Sequence, residues 1–231
     1  MFGFPLAAAL IGAVFAVVVL RQYAHRRRAY QLSWGLALAM FAIAASFETV
    51  GAAHGWTPLT YRGYYLFGGV LNVGWLGVGS IQIIAPGRPG RVAAWAMVVI
   101  TVVAVPGVWL SSIDPSHLAA AVPGRGTIGS PAILLAPLTN ILGTIALVGG
   151  AAWSAWTAWR RGSAPGLVTG LALIAAGAFV VAGTHSYAQT SAVYAVQPLG
   201  EALGIAVMFC GYLVVEAQRQ SHAGVSRAAL G

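Results

Sequence analysis

The sequence predicts an all-α, polytopic membrane protein: a seven-transmembrane-helix bundle with its N-terminus outside and its C-terminus cytoplasmic. Composition, run length and charge placement all lead there. Of 231 residues, 59% are hydrophobic and only 7% charged, and the mean hydropathy is +0.82. A soluble domain carries about a quarter charged residues, so this chain cannot cover a globular surface. A water-soluble enzyme, a disordered chain and a nucleic-acid-binding basic domain are thereby excluded.

An α-helix needs about 20 mostly apolar residues to cross hydrocarbon. Seven runs qualify, at roughly 4–20, 32–53, 64–85, 92–110, 131–155, 165–184 and 196–216. The first is the shortest. No positive charge precedes it, no small-x-small cleavage pattern follows it, and Arg21, Arg26, Arg27 and Arg28 come after it. It therefore reads as a retained helix that starts outside. None of the runs alternates with period two, so helices are the way the backbone is satisfied in lipid. Arg88-Pro89-Gly90-Arg91 and the segment from Arg160 to Gly166 read as short turns. The longest loop, about 111–130, holds Asp114-Pro115 and Pro123-Gly124. Residues 1–216 form the transmembrane domain, and 217–231 read as a short polar cytoplasmic tail.

All twelve basic residues are Arg, and there are four acids. With the N-terminus outside, ten Arg fall in inner segments, and only Arg62 and Arg125 fall in outer ones. Cytoplasmic loops attract such an excess, and removing one helix would scramble the alternation. Trp153, Trp156 and Trp159 recur every three residues at the inner end of the fifth run and read as an interfacial belt.

Thirty Gly let the helices approach closely. Gly166-x-x-x-Gly170 and Gly200-x-x-x-Gly204 fit the small-xxx-small pattern, read here as internal packing faces, with homo-oligomer contact the alternative. The stretch from Phe47 to His54 also resembles that from Phe179 to His185. Helices one to three and five to seven would then be parallel pseudo-repeats joined by the fourth, a 3+1+3 layout found among transporters.

A charge in hydrocarbon costs on the order of 3 kcal/mol, so the intramembrane acids need a reason. Glu48 and Glu201 each fall about one turn inside the outer ends of helices two and seven. His54, His185, Arg62, Asp114 and His117 lie on the same side by topology. The functional reading is an outward-facing polar pocket of Glu48, His54, His185 and Glu201 that is proton-sensitive or takes a divalent metal. The plainer reading pairs Glu48 with Arg62 and leaves both His at the lipid–water boundary; the spacing, which fixes no metal geometry, favours it. Asn72 and Asn140 lie deeper, either bonding between helices or lining a cavity below the acids. Glu216 is placed inward, three residues before Arg219.

No lysine exists, so a retinal Schiff base is excluded. The single Cys210 excludes an intramolecular disulfide and thiolate metal clusters. No Walker loop, His-Glu-x-x-His or Gly-x-Ser-x-Gly is present. Haem ligated by His54 and His185 is physically reasonable but ranks below interfacial His. Three functions stay open. The chain binds or transports a small ligand or ion through an outward-facing cavity; or it is an accessory subunit docking a membrane protein partner; or it is a haem- or metal-containing redox or lipid-modifying enzyme. The first gives the intramembrane acids a purpose. The Arg-only, Ala/Gly-rich composition suggests a bacterial cytoplasmic membrane. Lipid is the environment, and nucleic acid is not a partner.

Overall fold

The computed structural model describes residues 2–119, 123, 126–191 and 196–228. Arg125 and Gly124, read above as part of the outer loop, lie outside them. Seven helices are long and apolar enough to cross a membrane. They are α1 (Gly3–Arg26), α2 (Ala29–His54), α3 (Pro58–Ile84), α4 (Arg88–Leu110), α5 (Ala132–Arg160), α6 (Pro165–Ser191) and α7 (Val196–Ala228). The protein is an all-helical, multi-pass integral membrane protein. The outer loop between α4 and α5 contains a short 3-10 turn, Pro115–Ala119, and its two ends are joined by a bridge between Ile113 and Ile128.

Several helices run past their apolar stretches. A helix end in the aqueous or headgroup layer needs capping rather than hydropathy. α1 continues through Arg26 and stops where Arg27 takes a left-handed conformation, its N–H bonding the Tyr23 carbonyl. α3 starts six residues before the apolar run because Thr57 and Thr60 form a reciprocal capping box, with Pro58 just inside it. α7 extends helically to Ala228, through most of the segment read as a tail.

α1 packs on α2 and α7, α2 on α3, α3 on α5, α5 on α6, and α6 on α7. These six helices close a ring, while α4 lies outside it against α3 and α5. π-helical segments interrupt α3 (Tyr65–Leu71) and α5 (Ile145–Gly149).

Glycines set the closest seam, and it is internal. A Cβ on Gly177 would lie 2.5 Å from the Gly204 carbonyl oxygen, and one on Gly204 would lie 2.7 Å from that of Gly177. Gly170 and Gly211 oppose each other in the same way, one heptad further inward. In lipid, where helices gain nothing by expelling water, this backbone-to-backbone contact is what holds α6 on α7.

At the inner end α1, α2 and α7 are tied by polar side chains. Arg26 donates through both terminal nitrogens to the Glu216 carboxylate. The Tyr212 hydroxyl donates to Gln22 Oε1 at 2.6 Å, and Gln31 Nε2 donates to the same oxygen at 3.3 Å. Arg219, the neighbour expected for Glu216, donates to the Tyr30 hydroxyl. A two-pronged bond across helices fits guanidinium and carboxylate geometry better than an i,i+3 pair.

Candidate functional site

Glu48 and Glu201 meet. Glu48 lies on α2 one to two turns from its outer end, and Glu201 lies little more than one turn into α7, so antiparallel crossing brings both to one level. Their carboxyl groups are close enough to interact electrostatically. Glu48 is 0% exposed and Glu201 9%. Neither Glu48 oxygen has a hydrogen-bond partner among the described residues.

Two further side chains complete the site. Gln197, one helical turn before Glu201 and 1% exposed, donates from Nε2 to Glu201 Oε1 at 2.8 Å and to the Tyr64 hydroxyl at 2.6 Å. Tyr64 sits on α3 where the π segment begins, close enough to feel both carboxyl charges. Trp56 packs edge-on against Tyr64 and Tyr61, with ring centroids 5.3 and 5.9 Å apart. Gly51, less than one turn beyond Glu48, admits the Trp56 ring, since a Cβ there would lie 2.4 Å from it. Trp56 also lines an open cleft of about 560 Å³, together with Gly51, Gly55, Pro115 and Leu118.

The remaining sequence candidates are placed differently. Arg62 Nη2 donates to the Ser111 carbonyl at 2.7 Å and does not pair with Glu48. The last carbonyls of α4 lack helical partners, and Arg62, on the first turns of α3, reaches one. His54 is exposed at the end of α2, and His185 is half-buried in α6. Among the described residues, no three His, Cys, Asp or Glu gather closely enough to hold a metal ion. The four-residue ligand set is thus not assembled; the two acids come together without the imidazoles. Asn140 Nδ2 bonds the carbonyls of Gly69 and Ala136, so it ties α5 to the π segment of α3. Asn72 is buried at mid-helix, and its Oδ1 has no hydrogen-bond partner among the described residues.

Outside the membrane-spanning segments, Asp114 caps the 3-10 turn. Hydrogen bonds from the Ser116 hydroxyl and N–H, with nearby His117, hold its carboxyl below the usual range.

No protein-family profile, curated protein or solved structure matches this chain. What it does must therefore be argued from the site.

Chemically, the site is acceptor-rich, and among the described residues no arginine pairs with it. Two like charges side by side in a low-dielectric bundle repel each other, and a proton or an added cation relieves that repulsion. Aromatic faces on the outer side suit a positive charge.

Proposed function

We propose that the protein binds a small cationic ligand or ion and passes it through the outer half of the bundle. The Glu48–Glu201 pair is the proton- or cation-exchanging centre. The observation that carries this reading is the buried acid pair, which has no basic partner among the described residues, since Arg62 is committed to the Ser111 carbonyl. Retaining such a pair costs stability, and a proton or cation that comes and goes gives it a use. Gln197 and Tyr64 orient Glu201, Trp56 joins Tyr64 to the outer cleft, and Asn72 offers a deeper acceptor. The setting is a bacterial cytoplasmic membrane, with the cleft facing outward and the arginine-rich turns inside, and the working process is transport.

Cation-dependent stability tests this. Purified protein in detergent is heated with sodium chloride, magnesium chloride, n-butylammonium chloride or, as a neutral control, glucose, at several pH values and matched ionic strength. A cation that binds the folded state at a hundred times its Kd stabilises by about 2.7 kcal/mol. At least one cation is expected to raise Tm, less so as the pH falls and protons compete for the carboxylates. Glu48→Gln and Glu201→Gln are expected to abolish the effect. Equal behaviour of all four solutes, or an unchanged response in both variants, contradicts the proposal. The same insensitivity with a stoichiometric membrane protein co-purifying would mark an accessory subunit instead.

A further inference from the structure

The inner end of α5 carries a second feature, independent of the acid pair. We propose that its lipid-facing side is a binding site for one anionic phospholipid, with an acyl chain lying on Gly149 and Ala152 against the Trp153 and Trp156 rings, and the phosphate on Arg160.

The groove there is shallow, about 370 Å³, and is lined by Gly149, Ala152, Trp153 and Trp156. Gly149 ends the π segment, and a Cβ on it would meet nothing within 4 Å, so the floor is open at that depth. The two indoles stand 5.0 Å apart at 46° and form a wall rather than scattered anchors. One turn further inward, the Arg160 guanidinium lies over the Trp156 ring at 5.0 Å, which fixes the cation at the aqueous end of the groove.

What this cation lacks is an anion. Between Asp114 and Glu201 the chain has no acid, and Glu216, the acid at the inner end, is taken by Arg26. Among the described residues, neither Arg160 nor the adjacent Arg161 makes an ion pair. Guanidinium matches phosphate with paired hydrogen bonds, and the cytoplasmic leaflet is the anionic one. From Gly149 to Arg160 the helix rises about 16 Å, so the groove and cation together span a headgroup and part of an acyl chain. Free phosphate would engage only the arginine. The continuity of apolar groove and unpaired cation commits the site to a lipid.

Quenching by brominated lipid tests it. The full chain is reconstituted in phosphatidylcholine vesicles doped with acyl-brominated phosphatidylglycerol or, in parallel, acyl-brominated phosphatidylcholine. The brominated anionic lipid is expected to quench tryptophan emission more strongly than the zwitterionic one. Paired Trp153→Leu and Trp156→Leu removes this excess, whereas paired Trp95→Leu and Trp109→Leu on α4 leaves it. Arg160→Gln weakens the apparent affinity about tenfold, as expected for loss of charge-assisted bonds. Arg160 is exposed, so this variant reads the site even if the double tryptophan variant folds poorly. Equal quenching by the two lipids, an unchanged excess in Arg160→Gln, or displacement of the excess by inorganic phosphate at matched ionic strength would each overturn the proposal.

Discussion

Replacing Gly177 by Ala puts a methyl group between two backbones. Its Cβ would lie 2.5 Å from the Gly204 carbonyl oxygen and 2.7 Å from the Met208 nitrogen. Ordinary contact begins near 3.4 Å, so the shortfall is about 0.9 Å. Both obstacles are backbone, so no rotamer change relieves them and α6 must move off α7. Overpacking of this kind costs about 1–3 kcal/mol. Ala recovers about 0.5–1 kcal/mol through its better helix propensity, leaving a net loss of about 1–2 kcal/mol. Gly204→Ala is expected to cost a similar amount, and the double variant less than the sum, since one separation of the helices accommodates both methyls. Gly149→Ala and Gly183→Ala serve as controls, because a Cβ at either meets nothing within 4 Å. These should be neutral or stabilising by up to about 1 kcal/mol. Unfolding in mixed micelles of mild and denaturing detergent, followed by near-ultraviolet circular dichroism, measures the series. If Gly177→Ala proves as stable as Gly183→Ala, backbone-to-backbone packing does not hold this seam.

Glu48→Met should stabilise the protein by about 1–3 kcal/mol, because it removes buried oxygens that lack donors, while abolishing any cation response. A loss of thermal stability would instead make Glu48 a structural tie. Asn140→Leu breaks the bonds to Gly69 and Ala136 and should cost about 1 kcal/mol in the same unfolding assay; no change would mean that the π segment of α3 needs no support from α5. Asp114 is held below its ordinary value, so its contribution to the turn is complete above the unfolded pKa of about 3.9 and fades as pH falls through the lower folded value. Hydrogen exchange of the segment 111–119 is accordingly expected to quicken in Asp114→Ala at neutral pH, with no change in the transmembrane helices. Unaltered exchange there would show that Asp114 does not hold the turn.

The seven spans were legible because lipid imposes one requirement everywhere: long apolar runs with their cations on one side. Helix ends were less so. The Thr57–Thr60 capping box is visible as Thr-Pro-Leu-Thr, but hydropathy passes over a polar first turn. The π segments leave no such mark; Gly68 and Gly69 permit one without requiring it. At the site, topology alone placed Glu48 and Glu201 at one level. Gln197 was missed although its spacing of four from Glu201 on one helix was readable, and Tyr64 was missed because it arrives from another helix. Arg62 was assigned to Glu48 because charge complementarity can be read along a sequence, whereas the uncapped carbonyl of Ser111 that actually receives it cannot. His54 and His185 share a side of the membrane with the acids, but position along a helix does not set direction around it. That angular freedom is why the metal set read from the sequence does not form.

Infrared difference spectroscopy of the protein in lipid, titrated with acid and base, addresses the acid pair itself. The wild type should show a protonated-carboxyl C=O band at neutral pH that is lost in both Glu48→Gln and Glu201→Gln, because the one proton belongs to the pair and each variant dissolves it. Absence of that band in the wild type freed of metal and ammonium cations, or its survival in both variants, would mean that the two carboxyls hold no common proton and that the acid pair is not an exchange centre.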